Sequence, residues 1–313
     1  MLPSLDDFLL HLKTDNFSLE TIYNYERDLK VFEAFLLDFP APFDKVDKRV
    51  VAQYKAYLAS RDRLTAILGQ KGDQLASRSL NRMLSALRSY LKWLIEMDLP
   101  CPVPPEAVKL VKTEKRTARV AEFSDLIRLI ESPLVFESDR RIGLRNQAIM
   151  ELLFSTGLRI SELCRLNRSD IDGSGKIFVM GKGKKERFVY LTPRAQNMLE
   201  RYLIIREDNL PSLFIPYGGP NFSSAKKRIS TNYIQMKIKQ YREKLKINVP
   251  TSAHSLRHGF ATYLAEQGAS PAAIQILLGH ESLDTTTRYV HASDKFAEET
   301  HRKFHPLAEV KNN

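Results

Sequence analysis

The sequence has few of the residues and segments that define several large classes of protein. Its two cysteines, Cys101 and Cys164, stand in no CxxC or Cys/His spacing, which excludes a disulfide framework and gives no sign of a zinc site. No apolar run approaches the roughly 18 to 20 residues that cross a bilayer, and the first residues are acidic, unlike a signal peptide. Thirteen glycines and fifteen prolines are spread thinly, which excludes collagen-like and wholly disordered chains. We therefore expect an unexported protein of the reducing cytoplasm, without a membrane segment.

Positive charge is in excess, and most of it lies in the second part of the chain. The 313 residues include 48 Lys and Arg against 37 Asp and Glu, a net charge of +11. Residues 1–115 have a net charge of +1 and residues 116–313 of +10, with eight basic residues and one acidic residue between 226 and 246. A basic run alone is as often a solvated helix face, but several together indicate a polyanionic partner such as DNA.

Residues 1–115 have the apolar periodicity of a helical domain. The three-and-four spacing of apolar residues predicts four helices and no strand, over residues 5–12, 18–36, 50–58 and 80–95. In the last of these, the leucines from Leu80 to Leu94 form one stripe. The basic residues off that stripe, which we predict to contact DNA phosphates, are Arg78, Arg82, Arg88 and Lys92.

A stretch rich in proline and polar residues separates this part from the rest. It predicts a linker over residues 101–120 and a domain boundary at residue 115. Beyond it, periodicity predicts helices over 122–130, 145–154 and 160–166, and again after Pro193. Two β-rich runs, 177–180 and 187–191, flank a turn with two glycines, which is typical of an antiparallel hairpin. The predicted fold is mostly α, with two domains, 1–115 and 116–313, the second carrying a small antiparallel sheet.

Four short strings hold residue types that can act on a phosphate. His254 and Arg257 are three residues apart on a predicted helix, so they share a face and could point at one ligand, although such a pair alone is more often structural. His280 follows the glycine of LLGH, and Tyr289 stands nine residues further on, where a lone tyrosine is normally core or interface. In chain order the candidate catalytic residues are Arg159, Lys182, His254, Arg257, His280 and Tyr289.

Taken together, these strings resemble the active-site set of the tyrosine recombinase (phage integrase) family. The resemblance runs over the whole chain through TGLRISEL, GKGKKER, HSLRHGFATYLAEQGA and LLGHESLDTTTRYVH. In length, linker position and the short tail after Tyr289, the chain is most similar to the XerC/XerD group. The resemblance implies a core-binding domain over 1–115 and a catalytic domain over 116–313, which close on DNA as a C-shaped clamp.

The resemblance also implies a role for each candidate residue. Tyr289 attacks the scissile phosphate and forms a 3′-phosphotyrosine link, with His254 as its base. Arg159, Arg257 and His280 stabilise the charge on the nonbridging oxygens, and Lys182 protonates the leaving 5′ oxygen. Because arginines take the charge role and the covalent link keeps the bond energy, we expect no metal, no cofactor and no ATP. Further predicted DNA contacts are Lys184, Lys185, Lys226, Lys227 and Arg228.

The expected function is site-specific recombination of double-stranded DNA through a Holliday junction. By resemblance it is Xer-like resolution of chromosome or plasmid dimers by a tetramer, made of this protein alone or with a related recombinase, with a DNA translocase as a candidate activator. The alternatives are a mobile-element integrase or transposase of the same family, a non-catalytic DNA-binding protein on this fold, and a type IB topoisomerase. The segment 293–307, with Phe296 and Phe304, either docks on a neighbouring protomer or folds on its own core.

Overall fold

The computed structural model describes residues 1–39, 42–60, 75–113, 121–181, 186–223, 227–279 and 294–306. The chain divides into two compact units, Met1–Arg116 and Thr117–Asn313, and each has a hydrophobic core of its own. The predicted fold class, mostly helical with one small antiparallel sheet, is confirmed. None of the helices in these ranges combines the length and the apolar character that crossing a bilayer requires.

The first unit is a helical bundle. Serine and aspartate caps begin two of its helices, because Ser18 accepts a hydrogen bond from the Thr21 N–H and Asp47 accepts from the Val50 N–H. The predicted leucine stripe from Leu80 to Leu94 is buried along its whole length, which confirms the prediction from its spacing. Its described helices are α1 (Leu5–Thr14), α2 (Leu19–Asp38), α3 (Lys48–Ala59) and α4 (Ser77–Glu96), with 3₁₀ turns at Phe43–Lys45 and Pro105–Ala107.

The predicted start of the linker is wrong. Val103 and Val108 are buried in the core of the first unit. Asn81 on α4 donates to the Val111 carbonyl at 2.9 Å and accepts from the Val111 N–H at 2.8 Å. Residues 103–111 therefore belong to the first unit, because Val103 and Val108 bury their side chains although the neighbouring prolines disrupt any regular spacing.

The second unit is built around a central helix, α6. Every residue of this helix from Gly143 to Thr156 is buried, as expected of a helix packed on all sides. It begins at Arg140, earlier than predicted, because Asp139 caps it by accepting from the Arg141 N–H at 2.8 Å. The helices are α5 (Phe123–Phe136), α6 (Arg140–Thr156), α7 (Ile160–Arg165), α8 (Pro193–Ile204), α9 (Thr231–Lys244), α10 (Ala253–Glu266), α11 (Pro271–Leu278) and α12 (Asp294–Phe304).

The predicted hairpin is confirmed. Its strands, β1 (Lys176–Met180) and β2 (Glu186–Tyr190), pair antiparallel, with Val179 opposite Arg187 and Ile177 opposite Val189. These four residues are buried and form the inward face of the hairpin. Arg187 is the charged member of this otherwise aliphatic face.

The C-terminal helix α12 packs on the second unit in this single chain. His301 and His305 are buried, and their Nε2 atoms lie 2.5 Å from the Ser155 carbonyl oxygen and 3.1 Å from that of Phe154. A carbonyl oxygen can only accept, so each Nε2 donates, and the two histidines satisfy carbonyls at the C-terminal end of α6. The helix is folded on its own core in the single chain, and docking of this segment on a neighbouring protomer stays a prediction. The Phe296 side chain lies outside the described residues.

Candidate active site

Three of the six predicted catalytic residues lie within the described residues, and the structure brings two of them together. These two are Arg159 and Arg257, which meet at the end of α11. His254 is exposed on α10, one turn before Arg257. The predicted residues outside the described ranges are Lys182, Lys184, Lys185, Lys226, His280 and Tyr289.

Arg257 is a buried cation that ties α10 to two other segments. Its side chain is 5% exposed; Nη1 donates to the Gly157 carbonyl at 2.5 Å and Nη2 to the Leu278 carbonyl at 2.6 Å. Burial, followed by the charges of Arg159 and Arg187, lowers the pKa of Arg257 to about 10. It therefore stays protonated at neutral pH, and these two bonds use two of its five N–H donors.

Arg159 stands directly after the turn that ends α6. Gly157 makes that turn with φ of +63°, and a Cβ atom there would lie 2.6 Å from Cδ1 of Phe260. The chain then enters α7 with Arg159 as its N-cap residue. The Arg159 side chain is 38% exposed; Nη1 donates to Glu162 Oε1 at 3.0 Å and Nη2 to the Gly279 carbonyl at 3.4 Å. Arg159 is thus the more accessible of the two predicted arginines.

Glu162 is a site residue that sequence reasoning missed. Its Oε2 accepts the Arg159 backbone N–H at 2.8 Å, as the glutamate of a capping box does for the N-cap residue of its helix. Burial would raise the pKa of this carboxyl, but hydrogen bonds and charge from Arg187, together with bonds from Arg159, lower it below its ordinary value. The signal was present, because a glutamate three residues after a helix start is typical of such a cap.

Arg187 is the second residue that was missed. From β2, its Nη1 and Nη2 atoms donate to the two carboxylate oxygens of Glu162 at 3.1 and 2.8 Å. Its Nε atom donates to the Leu277 carbonyl at 3.0 Å. The sequence signal was its position two residues before Val189, because residues two apart on a strand point to the same face and Val189 faces inward.

Three arginines therefore bind three successive carbonyls at the C-terminal end of α11. Arg187 binds Leu277, Arg257 binds Leu278 and Arg159 binds Gly279. The end of a helix carries partial negative charge, which favours cations there.

The balance of charge at this point suits an anionic ligand. Three guanidinium groups meet one carboxylate, Glu162, so the cluster keeps excess positive charge that can stabilise the oxygens of a phosphate during its transfer. Across the ranges that the structure covers, no three His, Cys, Asp or Glu side chains come together as a metal site would require.

The predicted phosphate contacts of α4 are on its exposed side. Arg78, Arg82, Arg88 and Lys92 are all exposed. Arg82 forms an ion pair with the buried Asp28, and Lys92 with Glu96 at 3.1 Å. Burial raises the pKa of Asp28 despite the nearby Arg82. A phosphate would have to share Arg82 and Lys92 with these carboxylates.

Arg228 has a structural contact that the sequence did not indicate. Its Nη1 donates to the carbonyls of Arg165 and Leu166 at 2.8 and 3.0 Å, and its Nη2 donates to Asn167 Oδ1 at 2.5 Å. These bonds cap the end of α7, so the structure gives no support to the prediction that Arg228 binds DNA. Its neighbour Lys227 is half-buried.

Comparison with known proteins gives the class of the chain. The model of the phage integrase family matches residues 122–295, and that of the phage integrase N-terminal SAM-like domain matches residues 5–97. The chain belongs to the phage integrase family, the tyrosine recombinases, whose activity is site-specific DNA recombination.

Within that family, similarity over nearly the full length is to Xer proteins. The chain is 34% identical to tyrosine recombinase XerC of Pelobacter propionicus, over 98% of this chain and 97% of that protein. It is 31% identical to tyrosine recombinase XerD of Staphylococcus epidermidis, over 93% and 94%.

Solved structures share the fold at lower identity. XerH bound to palindromic difH substrate has a TM-score of 0.64 and 20% identity, over 95% of this chain and 83% of that one. A lambda integrase tetramer bound to a Holliday junction has a TM-score of 0.66 and 19% identity, over 90% and 77%.

Proposed function

We propose that this protein is a site-specific recombinase of the Xer type, which cleaves and rejoins double-stranded DNA through a 3′-phosphotyrosine link to Tyr289. The observation that carries the proposal is the meeting of Arg159 and Arg257 at the last carbonyls of α11. In the chain, Gly279 is followed at once by His280 and ten residues later by Tyr289. The helix end that both arginines contact is therefore followed closely in the sequence by the predicted nucleophile.

Each residue has a chemical part in the proposed cleavage. The phenol oxygen of Tyr289 attacks the phosphorus, the bond from phosphorus to the 5′ oxygen breaks, and a 3′-phosphotyrosine forms. His254 takes the phenol proton, and Lys182 gives a proton to the departing 5′ oxygen. Arg159, Arg257 and His280 stabilise the charge on the nonbridging oxygens. Attack of a second 5′ hydroxyl reverses these changes and rejoins the strand.

The domain roles and partners are part of the proposal. Residues 1–115 act as the core-binding domain and residues 116–313 as the catalytic domain. Solved relatives of this fold include one bound to difH and one that is a tetramer on a Holliday junction, which supports a tetramer on DNA here. The similarity to XerC and XerD over nearly the whole chain favours resolution of chromosome or plasmid dimers in the cytoplasm. A related recombinase and a DNA translocase are the candidate partners.

A covalent trapping experiment tests the proposal. Wild type and Tyr289→Phe are incubated with a suicide duplex that carries a candidate recombination site from the protein's own genome, without metal or ATP. We expect a protein–DNA band on a denaturing gel for wild type and none for Tyr289→Phe, with DNA binding retained by both.

Tyr263→Phe is the matched control. It removes the same hydroxyl from the same unit, where it donates to the Ala121 carbonyl at 3.0 Å, and we expect it to form the band. Wild type that binds the duplex and forms no band, alone and with the related recombinase of the same organism, would contradict the proposal.

A further inference from the structure

Arg187 is placed where the stability of the fold does not explain it. It is 9% exposed on a face formed otherwise by Ile177, Val179 and Val189. Removing a guanidinium and a carboxylate from water is costly, and apolar side chains of similar volume are often at least as stabilising as a buried ion pair. An aliphatic residue would continue this face without the desolvation cost of a buried ion pair. We therefore infer that the arginine has a role other than stabilising the fold.

One arm of Arg187 fixes the carboxylate that holds Arg159. Glu162 Oε1 accepts from Nη1 of both arginines, at 3.1 Å from Arg187 and 3.0 Å from Arg159. Glu162 Oε2 accepts from Arg187 Nη2 and from the Arg159 backbone N–H, both at 2.8 Å. Arg187 therefore restrains both oxygens of the group that orients Arg159, in the paired geometry that a guanidinium favours.

The other arm of Arg187 fixes the end of α11. Its Nε donates to the Leu277 carbonyl, and its side chain packs so closely under Gly279 that a Cβ atom there would lie 2.9 Å from Arg187 Cδ. Gly279 has φ of +64°, and its carbonyl is the one that Arg159 contacts. One buried side chain thus determines the position of Arg159 and of the carbonyl that it binds.

We propose that Arg187 is a positioning residue for DNA cleavage, which holds Arg159 through Glu162 and the end of α11 through Leu277, so that Arg159 meets the scissile phosphate in the correct place. This inference rests on the proposed function. It predicts that loss of the Arg187 guanidinium, with its hydrogen bonds to Glu162 and the Leu277 carbonyl, weakens the stabilisation of phosphate charge more than it weakens folding or DNA binding.

Charge removal from the substrate tests this role. One suicide duplex carries the ordinary scissile phosphate, and a second carries a methyl group in place of one nonbridging oxygen, which makes that linkage neutral. Arg187→Lys keeps the charge but cannot bind both Glu162 oxygens and the Leu277 carbonyl together. We expect it to slow single-turnover cleavage of the ordinary duplex about tenfold to a hundredfold, the range for lost charge-assisted hydrogen bonds. On the neutral duplex the deficit should shrink, because less charge depends on Arg159.

Arg206→Lys is the matched control. Arg206 also has a buried guanidinium group, which donates hydrogen bonds to Asp208 and to the Ser212 and Leu213 carbonyls. We expect the same small deficit, or none, on both duplexes. Glu162→Gln keeps the shape of the carboxyl and should show the same substrate-dependent deficit as Arg187→Lys, which provides a second test if the lysine variant folds poorly.

The outcomes separate this inference from the proposed function. An equal deficit of Arg187→Lys on both duplexes, or cleavage at the wild-type rate, would overturn the positioning role. Failure of the wild type to form any phosphotyrosine product would overturn the proposed function itself.

Discussion

Gly157 is a position where one added methyl group should destabilise the second unit strongly. Its φ is +63°, where a side chain costs about 1 to 2 kcal/mol. The new Cβ would also lie 2.6 and 2.8 Å from Cδ1 and Cε1 of the buried Phe260, and such overpacking typically costs about 1 to 3 kcal/mol. We therefore expect Gly157→Ala to lower the free energy of unfolding by about 2 to 5 kcal/mol.

Two other glycines separate the backbone cost from the steric cost. Gly268 has φ of +88°, and its nearest neighbour would be Phe304 Cε1 at an ordinary 3.7 Å, so Gly268→Ala should cost the backbone term alone, about 1 to 2 kcal/mol. Nothing lies within 4 Å of a Cβ at Gly173, so Gly173→Ala should change stability by less than about 0.5 kcal/mol.

Urea unfolding followed by far-UV circular dichroism measures all three variants. The sole tryptophan, Trp93, lies in the first unit, so its fluorescence reports separately on the unit that is not altered. If Gly157→Ala costs no more than Gly268→Ala, the close contact with Phe260 contributes nothing and the reasoning is refuted. Because the Gly157 carbonyl accepts from Arg257, we also expect Gly157→Ala to cleave the suicide duplex more slowly than Gly268→Ala.

Two further expectations concern pH and salt. Burial lowers the pKa of His301 to about 4, so the folded state holds this side chain neutral while the unfolded chain binds a proton below about pH 6.5. The free energy of unfolding should therefore fall as the pH drops from about 6.5 to 4, because protonation of this histidine favours the unfolded chain. The contribution of His301 is at most about 1.4 kcal/mol per pH unit. His301→Gln can keep a donor towards Ser155 without titrating, and an unchanged pH slope of urea unfolding in that variant would contradict the assignment. DNA affinity should fall steeply with salt because basic residues release counterions from phosphates, and a flat response in a filter-binding titration would contradict the prediction that the basic residues contact DNA phosphates.

The parts of the fold that the sequence predicts well depend on local pattern. The leucines of α4 repeat at helical spacing, and the β-rich runs flank a glycine-bearing turn, so both elements follow from neighbours in the chain. The linker prediction failed at Val103 and Val108, because the nearby prolines remove the regular spacing from which burial could be predicted.

The candidate site divides in the same way. Arg159 and Arg257 could be predicted because they stand in distinctive strings, and Glu162 could have been found from its place in the first turn of α7. The inward position of Arg187 could have been inferred from the alternation along β2, but its partners could not, because they depend on which helix end faces the inward side of that strand. No local pattern gives that contact, since Leu277 is 90 residues away in the chain.

The anchoring of the α11 end also bears on when the site can exist during folding. Its three arginine contacts join residues 90, 21 and 120 positions apart in the chain. Closing such long loops comes late in folding, because their entropy cost is met only when the surrounding core has formed. We therefore expect a chain that has only partly folded to lack a working arrangement of these arginines, so that the ability to cut DNA arises together with the completed second unit.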